Sequence, residues 1–116
     1  MYRGAYAEVA ASDQIGARRR EYDAFDRVVS LLRGAAHTDA GPGQLARALD
    51  ALESLWAVLL EDLSGRDNAL QDDLRAQLIS IGLWVTQKSL SIRIAGRGEL
   101  ASLIEINSTI RDGLRA

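Results

Sequence analysis

The chain of 116 residues has no cysteine, one proline, one histidine and one lysine, and its aromatic content is only 5%. Without cysteine there is no disulfide framework, no thiolate metal site and no thiol nucleophile, a composition that fits a reducing compartment, so the cytoplasm is the expected location. No apolar run approaches the roughly 18 residues of a membrane span. Met1 to Val9 lack the basic and apolar regions of a signal peptide. A single histidine and a single lysine leave a thin supply of general acids, bases and nucleophiles. His37 falls between Ala36 and Thr38 in a stretch read as loop, where a catalytic group would lack rigid support. The pairs Glu61-Asp62 and Asp72-Asp73 sit beside helix ends, where surface charge or a favourable dipole contact accounts for them. Gly41-Pro42-Gly43 and Gly96-Arg97-Gly98 lack the further glycines and the lysine of a phosphate-cradling loop, and no calcium-loop spacing is present. The expectation is a non-enzymatic protein with no cofactor and no metal.

What the chain does have is apolar residues at 47% and charged residues at 26%, enough for one modest core in one domain spanning 1–116. Abundant Ala, Leu and Arg favour helix, because such residues lose little side-chain freedom there. The predicted fold is all-α, about four helices behind an N-terminal arm. The arm covers 1–11, where Tyr2, Tyr6 and Val9 alternate with small residues without a clear period, and its tyrosines would anchor it to the domain. Ser12 is a plausible N-cap for a first helix over 12–33, with Ile15, Tyr22, Phe25, Val29 and Leu32 on one face and Gly34 ending it. The breakers around Pro42 make a loop.

The second helix, 44–63, carries the clearest amphipathic stripe, with Leu45, Leu49, Leu52, Trp56, Leu59 and Leu63 at steps of four and three. Asp67 or Asn68 is positioned to cap the third helix. That helix, 70–95, has two stripes on roughly opposite sides: Leu74, Leu78, Ile81, Val85 and Ile92 on one, Ile79, Leu83, Leu90 and Ile94 on the other. Such a helix is either covered twice or has one face awaiting a partner. Gly82 in its interior is either tolerated or marks the close approach of another backbone. The fourth helix, 99–115, places Asn107 and Arg111 within an apolar seam, where a polar side chain must find a hydrogen-bond partner. That Asn107 fixes helix register or meets a partner are the two readings open.

Charge is uneven along the chain, with net +1 over 1–33, −6 over 34–73 and +3 over 74–116. The one dense basic cluster, Arg18, Arg19 and Arg20, is followed at once by Glu21, Asp23 and Asp26. A nucleic-acid site that works unaided usually shows a basic domain, and this chain has a pI near 5.3. Unaided nucleic-acid binding is therefore not expected.

Several words stand in order along nearly the whole chain: Tyr2 and Tyr6 with Ala7-Glu8-Val9; Leu55-Trp56 and Glu61-Asp62-Leu63; the run from Leu74 to Val85; Leu103 to Asn107; and Ile110 to Leu114. Together they resemble the FlaF family, small flagellar-biosynthesis regulators of alphaproteobacteria. Gln71 departs from it, at a place where such proteins often carry proline, which blunts the predicted start of the third helix. The resemblance implies a cytoplasmic protein that supports flagellin synthesis and its handover for export. Its implied partners are flagellin and FlbT, a second regulator that restrains translation of flagellin messenger RNA. On that reading the chain is a flagellin chaperone, and Ile79, Leu83 and Leu90 with Ile104 form a groove for an amphipathic helix. Trp84 would anchor the guest, and Asn107 and Arg111 would orient it. The competing reading makes the tryptophans and stripe residues plain core. An alternative function is regulation of flagellin transcript, directly or through FlbT, with Arg18, Arg19 and Arg20 as the RNA contact.

Overall fold

The computed structural model describes residues 2–65 and 68–115, with side chains from Arg19 onward. Among the described residues there are four helices and no strand: α1 (Tyr2–Ala36), α2 (Gln44–Leu63), α3 (Asp72–Ala95) and α4 (Ala101–Gly113). The all-α expectation holds, and α2 has the predicted bounds. The helix start at Ser12 does not: α1 is helical from Tyr2 without a break, so the N-terminal arm is the first stretch of that helix. No proline interrupts 2–33, and its alanines, glutamates and arginines favour helix where no apolar period runs. The side chains of Tyr2 and Tyr6, expected as anchors, lie outside the described residues. Nor does Gly34 end the helix. One interior glycine costs about 1 kcal/mol, too little to stop a helix whose Leu32 and Ala35 both pack on the core.

α3 begins at Asp72, two residues later than expected, because Asn68 holds the chain in a turn. Its side-chain oxygen accepts from the Leu70 amide at 3.0 Å, and its side-chain nitrogen donates to the Asp62 carbonyl at 3.2 Å. Asp67, the other cap candidate, lies outside the described residues. Asp72 and Asp73 then occupy the first turn, where negative charge meets the positive end of the helix dipole. α3 ends on Gly96, whose φ of 74° is the left-handed conformation that favours glycine. α4 starts at Ala101 rather than 99, because Glu99 stays outside the helix and accepts from the Ser102 amide at 2.9 Å.

Cross-links between elements give the order of packing. Asp26 meets Arg111, and Tyr22 meets Arg115, so α1 and α4 run antiparallel. Trp56 and Leu60 lie at Gly82 while Asp50 and Glu53 lie at Arg93, so α2 and α3 do the same. α1 packs against both α2 and α4, and α2 packs against α3. Phe25, Val28, Leu32, Leu49, Leu52 and Trp56 fill the centre, with Val85 and Ile92 of α3 and Leu103 of α4 closing it. The Phe25 and Trp56 rings meet edge to face, centroids 5.9 Å apart at 83°.

Candidate functional site

α3 packs on α2, and α4 packs on α1, but α3 and α4 do not pack closely on each other. The seam between them is an open groove of about 470 Å³. Ser80, Ile81 and Trp84 of α3 form one wall, and Ser102, Glu105, Ile106 and Thr109 of α4 form the other. Ile81 and Ile106 are half-buried and supply an apolar floor. Trp84 stands beside it, 41% exposed although it is a large aromatic side chain. The rim is made of hydroxyls and one carboxylate, that of Glu105.

The predicted contact residues are divided by the structure. Trp84 is on the groove. Ile79, Leu83 and Leu90 are not; they belong with Ile94 to the outer side of α3, where Leu83 and Leu90 are each more than half exposed. Ile104 is half-buried against the core. Asn107 is fully buried and its amide is committed inward: Trp56 Nε1 donates to its Oδ1 at 2.9 Å, and its Nδ2 donates to the Leu103 carbonyl at 2.7 Å. It therefore has no free group to orient a guest. Arg111, with its side chain only 13% exposed, is likewise engaged, reaching Asp26 at 2.9 Å and Asp112 at 3.1 Å. Its pKa lies above the ordinary arginine value: desolvation works against the charge, and the hydrogen bonds to Asp112 and Asp26 outweigh it. The partner reading of Asn107 thus gives way to a structural one, in which it seats α4 on α2.

Of the groove wall, only Trp84 was among the predicted contacts. The signal for the rest was present in Ser102, Glu105, Ile106 and Thr109, spaced three, one and three apart on one helical face. It was hidden because three of the four are polar. Of the second stripe of α3, Leu83, Leu90 and Ile94 are exposed and Ile79 is half-buried.

Gly82 is explained by side chains rather than by another backbone. A Cβ there would stand 2.7 Å from Leu60 Cδ2 and 2.9 Å from Trp56 Cε3. Beside it, Glu53 accepts from Ser89 Oγ at 2.5 Å and pairs with Arg93 at 2.9 Å, and Asp50 pairs with Arg93 at 2.7 Å. The Arg93 pKa is raised, chiefly by its hydrogen bond to Glu53 and then by that to Asp50. These groups join α2 to α3 and face away from the groove.

His37 is exposed on the connection between α1 and α2. Arg19 and Arg20 are exposed on α1, with Asp23 exposed nearby; the side chain of Arg18 lies outside the described residues. Among the described residues no group of three or more His, Cys, Asp or Glu could hold a metal ion. No described helix is long and apolar enough to cross a membrane.

Fold and groove together define the class: a small, all-helical domain of four helices with an open seam between α3 and α4. The family model for flagellar protein FlaF matches residues 2–114, and the chain belongs to that family. FlaF is a family of flagellar regulatory proteins and is not a known enzyme family. No curated protein and no solved structure gives a match.

Proposed function

We propose that this FlaF protein is a cytoplasmic chaperone for flagellin, which supports flagellin synthesis and export by holding an amphipathic segment of the subunit in the groove between α3 and α4. The observation that carries the reading is the open seam itself, with Trp84 exposed beside an Ile81 and Ile106 floor. Two helices that stand apart over an apolar floor accept a third helix as a bundle neighbour would, with its apolar face inward. Covering that face keeps the guest from associating with further copies before export. The hydroxyls of Ser80, Ser102 and Thr109 provide a polar edge, and Glu105 favours a basic residue on the guest beside it. FlbT acts with this protein as a regulatory partner, coupling flagellin supply to translation.

The test is calorimetric titration of the protein with monomeric flagellin at two salt concentrations. Saturable binding that changes little with salt is expected, since apolar burial is not screened. Trp84→Ala should weaken it by about thirtyfold, the equivalent of roughly 2 kcal/mol for an interface aromatic. Val58→Ala, at an exposed α2 position outside the groove, should leave it unchanged. Absence of binding refutes the chaperone reading, and binding indifferent to Trp84→Ala moves the guest off this groove.

A further inference from the structure

The outer face of α3 points to a second copy of this chain as its occupant: we infer that the protein self-associates through α3 as an antiparallel dimer. This goes beyond the flagellin reading and uses a different side of the helix. At 100° per residue, Ile79, Leu83, Leu90 and Ile94 fall within about 60° of one another. Leu83 is 55%, Leu90 54% and Ile94 79% exposed and Ile79 is half-buried, on a helix whose opposite side, at Gly82, Val85, Ser89 and Ile92, is buried.

The spacing of these four is the same read from either end: Ile, four residues on Leu, seven on Leu, four on Ile. A two-fold interface must be self-complementary, with residue i of one copy meeting j of the other and j meeting i. Placing the two-fold axis between Thr86 and Gln87 does this, because Leu83 then meets the partner copy's Leu90, and Ile79 its Ile94. Charge selects the antiparallel direction. The first turn of α3 carries Asp72 and Asp73 and stays net negative with Arg75 counted. The far end carries Arg97 and Glu99, both exposed, and their charges cancel, so it lacks the net negative charge of the first turn. Parallel pairing would bring acid to acid and Arg97 to Arg97, whereas antiparallel pairing sets Asp72 of each copy within about one helical turn of the other's Arg97. The helix dipoles oppose in the same arrangement. One helix face about 36 Å long buries on the order of 1,000 Å² in total, below the roughly 1,200 Å² at which stable interfaces begin. The dimer is therefore a reversible one, in the micromolar range.

Sedimentation velocity across low to high micromolar concentration tests it, with helicity checked by circular dichroism. The mass should rise from 12.6 kDa toward twice that value. Leu90→Glu should weaken the association at least tenfold, and the exposure of Leu90 makes the fold tolerant of the change. Direction is tested separately, because the natural chain has no cysteine to interfere. Under mild oxidation Ile79→Cys mixed with Ile94→Cys should give a cross-linked dimer, and Ile79→Cys alone should not. A monomer at every concentration overturns the inference, as does a dimer that survives Leu90→Glu or one that cross-links as well through Ile79→Cys alone.

Discussion

Asn107 shows how much one polar side chain can hold. Its amide satisfies the buried Trp56 indole N–H and returns a bond to the Leu103 carbonyl, one turn back on its own helix. Asn107→Leu removes the acceptor and strands that N–H, so unfolding in urea should show a loss of about 1–3 kcal/mol. Trp56→Phe in the same background deletes the stranded donor, and the double variant should lose less than the two single variants added together, by about 0.5 kcal/mol or more. A second residue-scale prediction concerns Gly82. Alanine would gain up to about 1 kcal/mol of helix propensity, but its Cβ meets Leu60 and the buried Trp56 ring at under 3 Å. Such overpacking costs about 1–3 kcal/mol, so Gly82→Ala should lower stability, and adding Leu60→Ala should recover part of the loss. Sequence pattern revealed that Asn107 needed a partner, since it interrupts an apolar seam. It could not reveal which, because Trp56 is 51 residues away and periodicity reports only neighbours on the same helix.

At the scale of the elements, α1 and α4 are tied by Arg111, which links to Asp26 on a half-buried surface. Arg111→Ala should cost about 1 kcal/mol, with Asp26 already half exposed to solvent. Asp26→Asn should cost less, because Asp112 still accepts from the guanidinium. Thermal denaturation of the two variants checks that ranking. The apolar stripes were legible enough in the sequence to place α2 to the residue and to show that α3 has two faces. Helix ends were less so. Asn68 and Glu99 trim α3 and α4 through bonds to particular amides, and α1 runs on through 2–11, where an apolar period is missing. The groove was half legible: Trp84 could be named, but its facing wall on α4 is mostly polar and reads as ordinary surface until the fold brings it opposite α3.

For the molecule as a whole, the arrangement places α1 and α4, far apart in sequence, in direct contact, while α3 and α4, adjacent in sequence, stay apart. The Asp26 to Arg111 pair spans 85 residues and the Tyr22 to Arg115 contact spans 93. Long-range contacts of this kind slow folding, because a large loop must close before they form. A variant ending before residue 101 should therefore lose cooperative unfolding, since Leu103 leaves the core and Asn107 leaves Trp56. Its near-ultraviolet dichroism should flatten while part of the helical signal persists. The same wiring sets a timetable for synthesis. A nascent chain whose α1 has emerged before α4 carries the α4-facing side of α1 bare. Only the emergence of α4 closes the body. Until then, the protein is itself an unshielded chain, and a pause in translation before Ala101 prolongs the interval in which it can aggregate.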